Sequence, residues 1–402
     1  MDTHISWICG STRGVPSGNY DIMSPKEKCF EGSKTMKHLT IMLKPASSLC
    51  NLRCKYCFYA DITSLREVSS FGVMKESTMT AVMDHIFMDL DDGDYLTLSF
   101  QGGEPMLAGL SFYRNLVQYI AGKKRNIHVN YTLQTNGILL DDDWCRFLAE
   151  YGFLIGISLD ILPESHDAVR IDTSGQGTYE QVLHSISLLK KYRIEHNVLC
   201  TLTRQTARHP AKVWAQIKKL DLAYVQFTPC LGDLASPGAS AYALTPERFF
   251  HFYSDLFDLW YRDFTAGNYR SIKLFDDLLQ LIAKGLVTSC GIGGHCQPQI
   301  VVEADGSAYP CDFYCLDQFR LGSLTSDSLR MIYERSAVSP CKTRDPLPEL
   351  CSACQYRNFC GGGCKRMQRE TACMPGDTFC GYQALLDHAL RPLMQIAAGI
   401  SG

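Results

Sequence analysis

The sequence predicts an α/β fold in which six strand–helix units form a parallel sheet, followed by a small cysteine-rich domain. Two observations support this prediction. Between residues 36 and 265, short β-branched or aromatic runs alternate with helical patterns, which is typical of parallel sheets with right-handed crossovers. After about residue 285 the alternation stops and cysteines become dense. Six units are fewer than the eight of a closed barrel, so a partial barrel and an open sheet both fit.

The individual elements follow from these patterns. The predicted strands are, in chain order, Leu39–Lys44, Tyr95–Phe100, Val129–Leu133, Leu154–Ser158, Glu195–Leu202 and Tyr224–Phe227. The predicted helices lie near 76–90, 109–123, 141–151, 178–192, 210–220 and 246–265. Two of them have recognisable starts, since Asp141 precedes Trp144 and Thr245 precedes Pro246. Residues 300–304 and 307–310, around Asp305-Gly306, predict a β-hairpin. Cysteine-punctuated loop follows the hairpin, up to a last helix near 380–398.

Composition excludes several classes of protein. The 402-residue chain is 46% hydrophobic and 20% charged, which is enough apolar material for a core and excludes disorder over most of the length. Its net charge of −3 gives no case for binding nucleic acid or a membrane surface. No apolar run approaches the ~18 residues of a membrane span, and no signal peptide is recognisable. The sequence therefore predicts a cytoplasmic protein with neither kind of partner.

The 19 cysteines are the unusual feature of the composition. In a small secreted domain such a density would indicate disulfides, but a long chain without a signal peptide is expected to keep its thiols reduced. Closely spaced cysteines in such a chain indicate metal ligands.

Polar and cysteine residues follow four consecutive predicted strands. They are Cys50, Cys54 and Cys57 after the first strand, Gln101–Pro105 after the second, Gln134–Gly137 after the third and Ser158–Asp160 after the fourth. Because the carboxyl ends of parallel strands meet at one edge of a sheet, these segments predict a single site there.

The spacing Cys50-x3-Cys54-x2-Cys57 brings three thiolates into one short loop. Three thiolates can hold three irons of a 4Fe–4S cluster and leave the fourth iron open. A zinc loop with a distant fourth ligand is the alternative, although no fourth ligand stands at a matching spacing. The aromatic residues beside these cysteines would shield a cluster from water.

The three-cysteine loop has an aromatic residue before its third cysteine, and Gly-Gly-Glu-Pro follows the second strand. Together these two features resemble the radical S-adenosylmethionine (SAM) superfamily. The resemblance implies a partial (βα)6 barrel, a cluster on Cys50, Cys54 and Cys57, and SAM bound to the open iron. Cleavage of SAM would then give a 5′-deoxyadenosyl radical. The SAM contacts that the resemblance implies are Tyr56, Gly102, Gly103, Glu104, Ser158, Arg170 and Leu231. Taken singly, the glycines fit a plain turn, Ser158 a strand-end cap and Arg170 a surface cation.

The C-terminal cysteines form a second pattern, which includes Cys351-x2-Cys354-x5-Cys360-x3-Cys364. Eight of them could ligate two 4Fe–4S clusters, and a pair of four-cysteine zinc sites is the alternative that the spacing leaves open. Cys373 has no partner at ligand spacing. The pattern resembles the SPASM domain of peptide-modifying radical SAM enzymes, which binds two auxiliary clusters. The resemblance implies Cys290, Cys296, Cys311 and Cys364 for one cluster, and Cys351, Cys354, Cys360 and Cys380 for the other.

Further segments narrow the resemblance to one family. They are Leu-Lys-Pro-Ala-Ser-Ser before the cluster loop, Phe-Gln-Gly-Gly-Glu-Pro, Gln-Thr-Asn-Gly, Val-Gln-Phe-Thr-Pro and Tyr-Pro-Cys-Asp-Phe. Together with the order of the cysteines, they resemble anaerobic sulfatase-maturating enzymes. The family usually has Asp-Gly-Pro after its fourth strand, where this sequence has Asp160-Ile-Leu-Pro.

This resemblance implies oxidation of a sulfatase active-site cysteine, or in some members a serine, to Cα-formylglycine. A radical would take a Cβ hydrogen from the substrate, Asp312 would accept the thiol proton and Tyr59 would aid catalysis. Taken alone, Asp312 also fits a loop cap and Tyr59 also fits ring packing. The implied partners are an unfolded or nascent sulfatase and an electron donor such as flavodoxin or ferredoxin.

Two other functions stay open on the sequence. A related SPASM maturase would form thioether or carbon–carbon links in a ribosomal peptide, although no leader-binding domain is evident. An iron–sulfur electron carrier or zinc-ribbon interaction protein would need neither an open iron nor the SAM segments. The expected domains are a loose N-terminal extension at 1–35, a radical SAM partial barrel at 36–270, and a SPASM domain with a C-terminal helix at 271–402.

Overall fold

The computed structural model describes residues 37–238, 240–297, 299–343 and 346–400. The predicted extension at residues 1–35 lies outside this part of the chain. Within the described residues the predicted α/β class is confirmed, because parallel strands alternate with helices along most of the chain. No helix in these residues is long and apolar enough to cross a membrane.

One mixed sheet organises the described residues. Its strands are β1 (His38–Leu43), β2 (Tyr95–Phe100), β3 (His128–Thr135), β4 (Leu154–Ser158), β5 (His196–Leu202), β6 (Tyr224–Pro229), β7 (Ser271–Ile272), β8 (Ile300–Val302), β9 (Ser307–Tyr309) and β10 (Gly322–Ser323). In space they follow the order β10-β9-β8-β1-β2-β3-β4-β5-β6-β7. Strands β1 to β7 are parallel neighbours in chain order. The first six match the six predicted strands, and β7 is a short addition.

Nine helices of the described chain accompany these parallel strands. They are α1 (Phe58–Ser64), α2 (Glu76–Met88), α3 (Leu110–Ala121), α4 (Asp142–Glu150), α5 (Pro163–Val169), α6 (Tyr179–Lys191), α7 (Pro210–Lys219), α8 (Pro246–Thr265) and α9 (Lys273–Lys284). The sequence predicted six of them and missed three, namely α1 and α5, which are too short for a helical period to show, and the longer α9. Both predicted caps form, since Asp141 Oδ1 accepts the Trp144 N–H at 2.8 Å and Thr245 Oγ1 accepts the Arg248 N–H at 3.3 Å.

Alternation of residues gives the sheet two different faces. In β2, Leu98 and Phe100 are fully buried in the core formed with α2 and α3. The residues between them are half-buried on the other face, where Thr97 lies in register between Thr40 of β1 and Asn130 of β3. Around β2 and β3 the face away from α2 and α3 is therefore polar and partly open, whereas on β1 and β8 the same face packs Met42 and Val301 against α1.

The predicted hairpin forms from β8 and β9, which are antiparallel. Its first strand also pairs in parallel with β1, so the hairpin extends the barrel sheet. The Lys44 N–H donates to the Val302 carbonyl at 2.8 Å across this junction. The pairing brings the carboxyl end of β8, and the hairpin turn that follows it, to the carboxyl end of β1, where the cysteine loop begins.

The segment between the hairpin and the last helix is more helical than the sequence predicted. The expectation of loop was wrong for α10 (Leu329–Ala337), α11 (Glu349–Ser352), α12 (Arg357–Cys360) and α13 (Gln368–Thr371). Three of these helices are single turns, which carry no periodic signal. Short 3₁₀ turns occur at Pro105–Ala108, Thr206–Arg208, Ile292–Gly294, Asp312–Tyr314, Asp317–Phe319 and Pro340–Lys342.

The last helix, α14 (Gly381–Ile400), confirms the prediction of a helix near 380–398. It packs against α8 and α9, with Leu385, Leu386, Ala389 and Leu393 fully buried. The C-terminal helix therefore fastens the cysteine-rich region to the barrel.

Candidate active site

The predicted cluster loop lies at the carboxyl ends of the parallel strands, directly after β1. The segment after α5 holds its backbone, since the Arg53 N–H donates to the Ile171 carbonyl at 2.7 Å. Cys50 and Cys54 are partly buried and Cys57 is exposed. Burial raises the pKa of the Cys54 thiol to about 12, so this thiol ionises readily only when a cation such as iron compensates its charge. This donor set fits three thiolate ligands of an iron–sulfur cluster.

Gly102 and Gly103 pack directly against the cluster loop. A Cβ on Gly103 would overlap the Leu49 carbonyl, and a Cβ on Gly102 would stand 2.8 Å from the Ser47 carbonyl oxygen. The Gly103 N–H donates to that same Ser47 oxygen at 2.8 Å. The chain itself therefore requires both glycines, because only a hydrogen side chain allows this approach.

We expect Gly103→Ala to weaken cluster binding, because the new Cβ would displace the Leu49 backbone. Overpacking of this kind costs about 1–3 kcal/mol. Anaerobic reconstitution should give less iron and sulfide per chain and a lower melting temperature. Gly122→Ala is the control, since a Cβ there meets nothing closer than 3.5 Å. Equal iron content in the two variants would contradict this role of Gly103.

Glu104 makes its hydrogen bonds within the protein. The buried carboxylate accepts from the Met106 N–H at 3.0 Å, the Thr135 hydroxyl at 2.9 Å and the Asn136 N–H at 2.8 Å. Burial raises the pKa of this carboxyl group to about 7. The Asn136 amide in turn donates to Asn51 Oδ1 of the cluster loop at 2.7 Å. Glu104 thus joins the ends of β2 and β3 and sets their distance from the cluster loop.

Tyr56 and Arg170, two of the predicted SAM contacts, meet at the buried carboxylate of Asp160. Asp160 accepts hydrogen bonds from the Tyr56 hydroxyl, from the Arg170 guanidinium at 3.3 Å and from the Thr201 N–H at 2.9 Å. The guanidinium also lies 5.4 Å from the centre of the Tyr56 ring. Ser158, at the end of β4 and two residues before Asp160 in the sequence, is half-buried. The sequence placed Asp160 in the segment of the predicted site that follows β4, but gave it no role of its own.

Leu231 lies in the loop after β6 and is nearly buried. Residues of the C-terminal region form hydrogen bonds with both the N–H and the carbonyl of Gly232, which follows Leu231. The Gly232 N–H donates to Glu370 Oε1 at 3.0 Å, and Arg366 donates to the Gly232 carbonyl at 2.5 Å. The cysteine-rich region therefore fixes the loop that carries Leu231.

Asp312 reaches the same rim from the end of the hairpin. Its Oδ1 accepts a hydrogen bond from Lys44 Nζ at 2.5 Å, and the Lys44 ammonium lies 3.7 Å from the centre of the Tyr59 ring. The Tyr59 hydroxyl donates to Glu303, which also pairs with Arg66 at 2.7 Å. Sequence analysis missed Lys44, Glu303 and Arg66. Their partners lie up to 268 residues away in the chain.

The second predicted auxiliary-cluster site is a small cavity lined by Cys351, Cys354, Cys360 and Cys380. Cys373 lines the same cavity, and its Sγ lies 3.8 Å from Cys351 Sγ. Cys373 has no partner at ligand spacing in the sequence, but the fold places it beside Cys351. Its distance along the chain from Cys351 hides a contact that the fold creates.

The other predicted auxiliary set, which includes Cys290 and Cys364, lies where two segments of the chain contact each other. A Cβ on Gly291 would stand 2.6 Å from the Cys364 Cβ, so the segments of Cys290 and Cys364 are in contact. The hydrogen bond with Cys290, burial, and the nearby Cys364 and Cys311 raise the pKa of the Cys296 thiol. Among the described residues, no three His, Cys, Asp or Glu side chains converge closely enough to coordinate a single metal ion.

Comparison with known proteins defines the class. The sequence pattern of the Radical SAM superfamily matches residues 45–212, and that of the SPASM iron–sulfur cluster-binding domain matches residues 294–355. The fold, the cysteine loop and these matches place the chain among radical SAM enzymes with a C-terminal iron–sulfur domain.

Whole-chain relatives define the family. A cysteine-type anaerobic sulfatase-maturating enzyme of Clostridium perfringens is 38% identical over 371 residues, which cover 91% of this chain and 100% of the relative. A serine-type enzyme of Bacteroides thetaiotaomicron is 28% identical over 373 residues, covering 88% and 89%. The chain belongs to the anaerobic sulfatase-maturating enzymes, which are oxidoreductases, and the predicted resemblance is confirmed.

Solved structures agree with this assignment. The native enzyme named anSMEcpe, solved with bound AdoMet and the Cp18Cys peptide, matches with a TM-score of 0.81 at 36% identity, covering 90% of this chain and 99% of that one. Streptococcus suis SuiB bound to S-adenosylmethionine matches with a TM-score of 0.54 at 14% identity, covering 86% of this chain and 75% of that one, and shares the fold alone.

Proposed function

We propose that this enzyme oxidises an active-site cysteine of a sulfatase polypeptide to Cα-formylglycine by SAM-derived radical chemistry. The observation that carries the proposal is the 38% identity with a cysteine-type enzyme over 91% of the chain, against 28% with a serine-type enzyme. Cysteine is therefore the proposed target in preference to serine.

Three 4Fe–4S clusters are part of the proposal. Cys50, Cys54 and Cys57 would hold the cluster that binds SAM, and the two C-terminal sets of four cysteines would each hold an auxiliary cluster. The placement of Cys50, Cys54 and Cys57 in one short loop at the strand ends, and the cavity lined by Cys351, Cys354, Cys360 and Cys380, support this assignment. The residues proposed to surround SAM are Tyr56, Gly102, Gly103, Glu104, Ser158, Arg170 and Leu231.

When bound, SAM and the clusters supply a 5′-deoxyadenosyl radical that takes a hydrogen atom from the substrate Cβ, and an acceptor for the electron left behind. Asp312 accepts the proton of the substrate thiol. Loss of the hydrogen atom, the proton and the electron turns the Cβ–S single bond into a double bond. Water then replaces sulfur, so hydrogen sulfide leaves and the aldehyde remains. Partial exposure of Asp312 at the rim supports this role.

The proposed contribution of Tyr59 to catalysis comes from its ring. Its hydroxyl is buried and engaged by Glu303, whereas its ring faces the Lys44 ammonium. Tyr59 would therefore act on Asp312 through Lys44.

The substrate is proposed to bind as an extended segment of an unfolded or nascent sulfatase. Thr97, Asn130 and Gln226 are half-buried on strands of the polar face, and hydroxyl and amide groups can hydrogen-bond a peptide backbone. An extended segment would bring the target residue to the rim without a folded domain entering the barrel. We further propose a cytoplasmic location and flavodoxin or ferredoxin as the electron donor.

Anaerobic incubation with SAM, a reductant and a cysteine-type sulfatase peptide tests the proposal. Mass spectrometry follows the peptide and 5′-deoxyadenosine together. We expect an aldehyde at the target cysteine, formed faster than in the matched serine peptide. Deoxyadenosine without any change in the peptide would refute the proposal and favour a SPASM maturase that crosslinks another peptide.

A further inference from the structure

We propose that Lys44 is the positioning residue of Asp312, and that its loss uncouples hydrogen-atom abstraction from aldehyde formation. The inference rests on the proposed function, because that function makes Asp312 the acceptor of the thiol proton. Lys44 does not reach the substrate itself, since its side chain is only 1% exposed. Its effect must therefore pass through the groups that it contacts.

Lys44 stands between two parts of the site. A Cβ on Gly102 would meet the Lys44 Cβ and Cγ at 3.4 and 3.3 Å, so the stem of the lysine packs on the glycine segment. Its ammonium group lies 2.5 Å from Asp312 Oδ1. The position of Lys44 after β1 is fixed by its N–H, which donates to the Val302 carbonyl on β8. One side chain thus joins the proposed SAM side of the site to the carboxylate on the hairpin side.

Fully buried groups hold the Lys44 ammonium in place. The Tyr59 ring faces it at 3.7 Å, and a desolvated cation–π contact of this kind is attractive. The Tyr59 hydroxyl is anchored by Glu303, which pairs with Arg66, and both charged side chains are 0% exposed. Because Glu303 holds the Tyr59 ring in place, the contact with that ring restrains the Lys44 ammonium. Asp312 is held at the position that Lys44 sets.

The Lys44–Asp312 ion pair engages one carboxylate oxygen of Asp312 and leaves the other for accepting the substrate proton. Lys44 takes Oδ1, and no other residue in the described ranges donates a hydrogen bond to Oδ2. A general base takes a proton from a group within about 2.6–3.2 Å, or through one bridging water. An Asp312 side chain free to rotate would lose that geometry, even though the radical step before it would be unaffected.

The test compares Lys44→Met with Lys123→Met. Lys123 has similar surroundings on the outer surface, because it pairs with Asp84 and lies 4.1 Å from the centre of the Tyr119 ring. We expect Lys44→Met to keep its iron content and its rate of deoxyadenosine formation close to those of the wild type. The aldehyde formed per deoxyadenosine should fall by about tenfold or more, because a misplaced base forfeits part of the 10²–10⁴-fold of general base catalysis. Lys123→Met should keep the wild-type ratio.

Two readouts distinguish positioning from a merely structural role. With deuterium on the target Cβ of the peptide, Lys44→Met should still transfer deuterium into deoxyadenosine, which would show that peptide and SAM remain aligned. Lys44→Arg keeps the charge and should recover part of the aldehyde ratio. Lys44→Gln is neutral and shorter, so it should recover less.

Each outcome decides the proposal. If Lys44→Met does not fold, Lys44→Gln serves as the removal variant. A cluster-loaded removal variant with the wild-type aldehyde ratio would overturn the positioning role, and so would an equal loss of aldehyde and deoxyadenosine. Absence of aldehyde from the wild-type enzyme would instead overturn the proposed function, so the two failures are distinguishable.

Discussion

Cys54→Ala should abolish SAM cleavage, with 5′-deoxyadenosine falling to the background of a reaction without enzyme. Two remaining thiolates, Cys50 and Cys57, cannot hold a cluster that keeps one iron open for SAM. The expected loss therefore exceeds the roughly 10–100-fold that changes around metal ligands usually cost. Deoxyadenosine formation under anaerobic conditions, measured together with iron and sulfide per chain, checks the prediction.

Cys145→Ala is the matched control for Cys54→Ala. Cys145 is fully buried on α4, so the same substitution there removes a core thiol away from the cluster loop. It should keep SAM cleavage and its iron while losing some thermal stability. Undiminished SAM cleavage by Cys54→Ala would refute the assignment of Cys54 as a ligand.

The barrel could be predicted from sequence because its signals are local. Strands such as β2 and β4 alternate or run apolar between turn residues, and their observed bounds equal the predicted ones. The pairing of β8 with β1 has no such signal, since an edge strand of three residues can add to any open edge. That pairing nevertheless decides the site, because it brings Asp312 to Lys44.

The residues of the candidate site likewise comprise some with a local sequence signal and some without one. The cluster cysteines stand within eight residues of each other, so their spacing alone is informative. Lys44 and Glu303 acquire meaning only from partners that the fold supplies, and no spacing rule indicates a contact across more than two hundred residues. Asp160 likewise depends on the fold, which brings Tyr56, Arg170 and Thr201 to its carboxylate. Cys373 was missed for a related reason, because only the turns of the C-terminal segment bring it beside Cys351.

Asp312→Asn should leave SAM cleavage intact and block aldehyde formation. An amide has nearly the size of the carboxylate, and its oxygen can still accept the hydrogen bond from Lys44, but it cannot take up the thiol proton. General base catalysis contributes about 10²–10⁴-fold, so aldehyde yield should fall within that range. Mass spectrometry of peptide and deoxyadenosine from the same reaction measures both quantities.

Asp305→Asn is the control on the same hairpin. Asp305 lies at the turn, where it accepts the Ser307 N–H at 2.9 Å, and it is exposed to solvent. It should keep the wild-type ratio of aldehyde to deoxyadenosine, because both of its carboxylate oxygens are engaged by Ser307 and not by Lys44.

The double variant Lys44→Met/Asp312→Asn connects the two residues. If Lys44 acts only by placing Asp312, removing it from a protein that already lacks the carboxylate should lower the aldehyde ratio no further. A further loss would mean that Lys44 acts on the reaction independently. Full aldehyde yield from Asp312→Asn would exclude Asp312 as the proton acceptor and would also remove the reason for assigning Lys44 a positioning role.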